Sequence, residues 1–471
     1  MNLMESLLTK ADRACIPYVS WKNNHELVAY LEGRGDLDVF VAPDHRAAFM
    51  IVAMAEGWVE LENPVAHFPL VSHFYRAGSE GRVYHLHVYF RVVTGESWLK
   101  EYVLPLESFL LENRVRASTS GIWILNDAAQ RYLFALRHLL KGGSLSSRWL
   151  YQKELESYRQ EWAACRGPNG WDPDAGPIAL SSYASHAKLD GEQIALPAVI
   201  TALRLRRSLW PLLRFAGWSL PARRAASFLR RALNKVFWKR KKVFPQGGLV
   251  IVISGVDGAG KSTMLSVMRE FFSGFVTVES YQLGRPQGRF LEFVRRVYVG
   301  RRRASQKIAA VGSPIRTTSL LRAVSASILA WIRLWTAQRA VRAARRGHLV
   351  FVDRWPTAEV GKMDGPRIVS TASDRLGLVK RFGRFERWAY SRMPRADVCV
   401  LLTVSLDSAL ARNRARVKDE KESDDEIRRR FEDNQSVKPI ANKVIRFCND
   451  GEFDVMREQL TELIWAEVAR H

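Results

Sequence analysis

Leu249-Val-Ile-Val-Ile253-Ser-Gly255-Val-Asp257-Gly258-Ala259-Gly260-Lys261-Ser262-Thr263 decides how the C-terminal half of this chain folds. Five consecutive apolar, mostly β-branched residues predict a strand buried on both faces. The glycine-rich turn that follows fits Gly-x4-Gly-Lys-Ser in full, and the apolar spacing after it predicts a helix over Thr263 to Phe272. Strand, turn and helix together form a phosphate cradle. Glycines at 255, 258 and 260 let backbone N–H groups turn inward around phosphate oxygens, and the helix N-terminus adds its positive end. In such a turn the amides from Gly255 to Thr263, Ala259 among them, face the phosphates. Lys261 bridges the β- and γ-phosphates and Ser262 ligates Mg²⁺.

Outward from this stretch, apolar runs alternate with helical ones. Leu349 to Val352, Val398 to Val404 and Val444 to Phe447 read as further strands, and Asp454 to Val468 reads as a closing helix. That alternation predicts an α/β unit whose parallel sheet is covered by helices on both faces. In such a sheet the strand C-termini face the ligand crevice. Asp353 and Arg354 stand at one of those ends. An acid there holds the Mg²⁺ shell or receives a proton from the acceptor; the arginine clamps an acceptor phosphate or forms a surface ion pair. Arg412 and Arg416 share a helical face at i,i+4. They read either as a basic lid that closes over transferring phosphates or as a solvated face paired with Asp419 to Asp425.

On Gly255 to Thr263, Asp353-Arg354 and the Arg-x3-Arg of Arg412 and Arg416, residues 247–471 resemble the thymidylate kinase family of P-loop nucleoside-monophosphate kinases. The resemblance implies ATP held by the glycine loop and Lys261, Asp257 touching the acceptor sugar, and Arg354 on the acceptor phosphate. It implies an ATP- and Mg²⁺-dependent phosphotransferase acting on a nucleoside monophosphate or related small acceptor, and is compatible with a homodimer. The family's Arg-Glu-Pro-Gly-Gly acceptor signature is only echoed by Gly284-Arg-Pro-Gln-Gly288, and Trp355 to Met363 lacks its Ser and Ala-Tyr-Gln elements. Base recognition therefore does not carry over. The other reading is an ATP-binding switch that governs the N-terminal domain without using an acceptor.

In the N-terminal part, Gly35-Asp36-Leu37-Asp38-Val39-Phe40-Val41 places two carboxylates on one face of a strand. Paired carboxylates there suit Mg²⁺. A preceding Ser20 and a helix-like Trp21 to Glu32 make residues 15–140 resemble the nucleotidyltransferase fold. That fold uses a third carboxylate on a later strand, but Arg82 to Phe90 offers His85 and His87 instead. A mixed Asp/His metal site and a degenerate, ligand-binding domain both remain open. Asn126 to Lys141 has helical spacing with a cap at Asn126 or Asp127.

Composition bounds the rest. The chain has 471 residues, 47% apolar and 25% charged, and 72 Lys and Arg against 48 acids give a net charge of +24. Between Gln193 and Val256 there is no acid against thirteen Lys or Arg, with Trp and Phe interleaved. This stretch reads as short amphipathic helices divided by Pro211 and Pro221. It is either an interdomain connector or a contact for an anionic membrane surface or nucleic acid. The expected organisation is therefore 1–192, a nucleotidyltransferase-like α/β domain with a helical extension; 193–246, the basic connector; and 247–471, the P-loop domain. Four scattered cysteines and no basic-then-apolar leader fit a reducing, cytoplasmic setting. The most apolar stretch, Leu320 to Trp335, is interrupted by Arg322 and Arg333.

Overall fold

The computed structural model describes residues 2–66, 68–96, 99–143, 145–165, 172–184, 189, 194–255, 258–283, 320–362, 364–368, 377–414 and 438–471. Residues up to Lys242 form one compact unit and those from Val243 to Ala469 a second.

The first unit is built on a seven-stranded mixed sheet in the order β3-β4-β5-β2-β1-β9-β8. Its strands are β1 (Tyr18–Ser20), β2 (Asp36–Val41), β3 (Val59–Leu61), β4 (Val71–Ala77), β5 (Val83–Tyr89), β8 (Arg114–Arg116) and β9 (Trp123–Leu125); β6 (Val92–Thr94) and β7 (Tyr102–Leu104) pair separately. Alternation along the strands separates two cores. Leu37, Val39, Val41, Phe74, Leu86 and Val88 pack with Met4, Leu7 and Leu8 of helix Leu3–Arg13 and Phe49 of helix Arg46–Ala55. Phe40, Val71 and Tyr89 belong to the other core, with helix Asp127–Lys141. That helix is capped as its sequence predicts: the Asn126 side chain accepts from the Ala129 N–H at 2.9 Å.

Residues 194–242 of the basic stretch fall in this first unit. Helix Val199–Ser208 sets Leu205 in the core, and Leu209 just beyond it joins the same core. Its Arg206 is buried, 3.1 Å from Glu101 Oε1 and donating to the Leu140 carbonyl at 3.0 Å. Arg224, on helix Leu220–Leu233, reaches Glu96 and Glu101, each at 3.0 Å. Pro221 opens that helix, where its missing N–H costs nothing. The outer side of the stretch leaves Trp218, Phe228, Leu229 and Phe237 exposed.

The second unit is a five-stranded parallel sheet in the order β11-β12-β10-β13-β14: β10 (Val250–Gly255), β11 (Val278–Gln282), β12 (Leu349–Asp353), β13 (Ala396–Thr403) and β14 (Ala441–Cys448). Four of the five strands are the apolar runs read from the sequence. The fifth, β11, carries Val-Glu-Ser-Tyr-Gln on the sheet edge, where half-solvated positions admit polar residues and erase the apolar signal. Helices cover both faces. On one, Val250, Val252, Val350 and Val352 meet an alanine stripe (Ala330, Ala337, Ala340, Ala344) of helix Leu320–Arg345, together with Ala389 and Tyr390 of helix Gly377–Ser391. On the other, Phe272 of helix Lys261–Ser273 lies 5.7 Å, centroid to centroid, from Phe351 and stacks at 6.1 Å on Trp465 of helix Phe453–Arg470. Among the described residues, Leu320–Arg345 is the one helix long and apolar enough to cross a membrane. Arg333 lies on its buried side, 1% exposed.

Candidate functional site

At the C-terminal end of β10 the chain turns through the glycine loop into helix Lys261–Ser273. Gly255 has φ +147°, and a Cβ there would meet the Leu402 carbonyl oxygen of β13 at 2.2 Å. Gly258 and Gly260 also lie at positive φ, +92° and +80°. The loop thus needs glycine for handedness and at 255 for clearance as well. Ala259 is fully buried, and its carbonyl accepts from the Asn449 side chain at 2.8 Å. This bond ties the loop to the residue after β14. Gly255→Ala should lower the stability of the second unit by about 2–3 kcal/mol, read as a drop in its thermal unfolding midpoint; an unchanged midpoint would remove the clearance argument.

The Lys261 side chain is buried, while Ser262 and Thr263 are exposed at the helix start. Asp353 ends β12, paired in register with Ile253 of β10, so the strand-end acid stands beside the phosphate loop. Burial raises the Asp353 carboxyl above the ordinary aspartate range; the charges of Arg354 and Lys261 oppose this and Asp364 adds to it. Gln282 of β11 donates to Asp353 Oδ2 at 3.4 Å.

Arg354 follows in the left-handed region (φ +66°), its N–H donating to the Ile253 carbonyl at 3.2 Å. Its Nη1 lies 3.6 Å from Asp364 Oδ2. Asp364 is also at positive φ and is held at 2.6 Å by Arg333 Nη2. Arg333 in turn donates to Tyr390 Oη (2.7 Å) and to the Leu283 carbonyl (3.0 Å). The sequence reading named Arg354 for the site but not Asp364, and met Arg333 only as an interruption of an apolar stretch. The one local cue was Asp364-Gly365-Pro366, a turn signal that conceals a buried ion pair. Asp257, Arg416 and the echo Gly284–Gly288 lie outside the described residues. Arg412 is in helix Leu406–Arg414, and its side chain lies outside them too.

In the first unit, β2 and β5 run parallel with Asp36 beside His85 and Asp38 beside His87. His85 Nδ1 is 2.8 Å from Asp36 Oδ1, and His87 Nδ1 is 3.2 Å from Asp38 Oδ1. Lys22 sits 2.9 Å from Asp38. Burial would raise the Asp38 carboxyl, but Lys22 and His87 outweigh it and hold the group well below the aspartate range. Burial also lowers His85, to about 4, against the pull of Asp36. It lowers His73 of β4 further, helped by the neighbouring His87 and Lys242. The two carboxylates read from the sequence are therefore together, but each is already engaged by an imidazole. His73 was not singled out, because nothing in the run Val71–Ala77 marks it before the strand pairing is known.

A buried parallel strand, a glycine-rich turn into a helix start, and an acid on the adjacent strand end give the second unit the architecture of a P-loop α/β fold. No protein-family model matches the chain. It is 25% identical over 169 residues, 34% of this chain and 71% of the other, to the uncharacterized ATP-binding protein YghS of Escherichia coli (strain K12). Among solved structures it is similar to thymidylate kinase from Candida albicans, at 15% identity and a TM-score of 0.29, over 48% of this chain and 94% of that one. Thymidylate kinase from Ehrlichia chaffeensis follows, at 13% identity and a TM-score of 0.25, over 46% and 98%. A sugar kinase from Janibacter sp. HTCC2649 also gives 13% and 0.25, over 47% and 96%.

Proposed function

We propose that residues 247–471 form an ATP- and Mg²⁺-dependent phosphotransferase that moves a phosphoryl group to a small acceptor, a nucleoside monophosphate or a related phosphate-bearing compound. The observation that carries this reading is the meeting of the glycine loop, the buried Lys261 and the strand-end pair Asp353-Arg354 at one end of the parallel sheet. Glycines at 255, 258 and 260 leave the loop backbone bare of side chains at those positions, as close approach to a polyphosphate requires. ATP supplies the transferable group and Mg²⁺ spreads its charge. The loop amides and Lys261 bind and orient the phosphate chain, and the Ser262 hydroxyl is placed to reach the metal. Asp353, raised by burial, is suited to take the acceptor proton or to hold the metal's water shell. Arg354 is suited to clamp an acceptor phosphate. The ATP-binding name of YghS is in keeping with the first half of this reading.

A ³¹P-detected screen of the full-length chain with ATP, Mg²⁺ and a panel of nucleotides and sugar phosphates tests it. Turnover with at least one acceptor, cut about 10²–10³-fold in Lys261→Ala, is the expected result; ATP binding with no turnover on any acceptor would overturn it.

One observation favours the second reading, an ATP-responsive switch. Arg354 already faces a carboxylate of the chain itself, Asp364. If that pair instead competes with an acceptor phosphate, Asp364→Asn should lower the acceptor KM about fivefold, the worth of roughly 1 kcal/mol of partly exposed pairing. Asparagine keeps a hydrogen-bond acceptor for Arg333. Steady-state kinetics decide: an unchanged KM means the pair does not guard an acceptor site.

A further inference from the structure

The first unit carries a constellation that the phosphate loop does not use. β4 and β5 pair antiparallel with His73 opposite His87, while β5 and β2 pair parallel with Asp36 and Asp38 beside His85 and His87. Side chains alternate along strands, so all five groups project from one face of the sheet. One ligand nitrogen from each of His73, His85 and His87 lies within 4.8 Å of the others.

We propose that His73, His85 and His87 bind one divalent ion of the zinc class, with Asp36 and Asp38 as the outer carboxylates that orient His85 and His87. His73 Nδ1 and His85 Nε2 are 3.3 Å apart. Two nitrogens that each sit about 2.05 Å from a shared tetrahedral ion are separated by about 3.3 Å. The third nitrogen lies within 4.8 Å of the other two and must draw closer to complete the set.

The far side of the rings supports the same reading. His85 and His87 each turn Nδ1 to a carboxylate, so Nδ1 carries the proton and Nε2 keeps its lone pair. This is the carboxylate–histidine–metal arrangement that fixes tautomer and ring orientation at metal centres. Asp38 is anchored by Lys22 on its other side, which makes that outer group rigid.

The donor set selects the metal. Three imidazoles suit Zn²⁺, Co²⁺ or Ni²⁺, whereas Mg²⁺ demands oxygen ligands and keeps its waters. A paired-carboxylate Mg²⁺ site at Asp36 and Asp38 is disfavoured, because Asp38 is 5% exposed and is already committed to Lys22 and His87. Three protein nitrogens leave one position open, as in zinc sites that bind a water or a ligand rather than serve as structural clips.

The test uses the full-length chain, stripped by chelator, dialysed and titrated with Co²⁺. The expected result is a visible ligand-field band that saturates at one equivalent, is bleached by Zn²⁺ and is unaffected by millimolar Mg²⁺. Asp38→Asn should weaken Co²⁺ binding about 10–100-fold. His73→Gln and His87→Gln should weaken it further, with far-UV circular dichroism confirming that each variant is folded. If a histidine variant does not fold, the wild-type titration still decides. No saturable band up to about 0.1 mM Co²⁺, displacement by Mg²⁺, or a band that survives both folded histidine variants overturns the proposal.

Discussion

Lys261→Ala should cut phosphoryl transfer about 10²–10³-fold, the usual cost of losing one preorganised charge donor at a developing anion. The fold should survive. Lys261 is buried at the start of its helix, so its ammonium is partly desolvated in the native state. Truncation at this first helical position takes away a charged side chain rather than apolar core packing. The substitution should leave a second mark. The Lys261 charge draws the Asp353 carboxyl down while burial pushes it up. Without the ammonium, Asp353 holds its proton to still higher pH. If its carboxylate is the working form, the acidic limb of the residual rate profile should move upward in pH. A variant with wild-type turnover would place the chemistry elsewhere, and one with the expected loss but an unmoved limb would release Asp353 from the proton-accepting role.

Why this site was legible, and its neighbours were not, follows from what local sequence can encode. Gly255, Gly258, Gly260 and Lys261 lie within seven residues of one another, and a positive φ or a charge at a helix start is a local requirement. β10, β12 and β13 are buried on both faces, so their sequences are continuously apolar and readable. Asp36 and Asp38 were readable for the same kind of reason, being two residues apart on one strand. His73 was not, because its partners are twelve and fourteen residues away and meet it only through strand pairing. Arg333 was misleading. In an apolar helix it reads as an interruption, yet it is 1% exposed, and its partners among the described residues include Leu283, Tyr390 and Asp364, from three other segments. A buried charge is legible only through its counter-charge, and Asp364 lies thirty-one residues downstream in a turn.

The basic stretch 193–246 shows the same limit from the other side. Its charge excess is plain in the sequence, but the two acids that bind it, Glu96 and Glu101, sit about a hundred residues earlier. Arg206 and Arg224 are therefore internal ion pairs. Eight of the thirteen Lys or Arg nonetheless stay exposed, so most of the charge excess in this stretch faces solvent.

Arg333→Met should destabilise the second unit by about 3 kcal/mol, the low end for breaking a buried pair by removing one partner. The volume is nearly kept and the methionine lies on the alanine-lined side of helix Leu320–Arg345, so packing is a minor part of the loss. The larger part is polar. Asp364 keeps Arg354 at 3.6 Å but loses the 2.6 Å bond to Arg333. The Leu283 carbonyl loses its guanidinium donor, and the buried Tyr390 hydroxyl loses the one at 2.7 Å while keeping its bond to the Gly365 carbonyl. A two-unit chain has no single unfolding free energy, so the measurement is native-state hydrogen exchange of β10 and β12, read by mass spectrometry. Faster exchange confined to the second unit is expected, together with tighter pairing of Arg354 to Asp364 and a higher acceptor KM. Unchanged protection in β10 and β12 would mean that the Arg333 network holds the acceptor side locally and contributes nothing to the stability of the sheet.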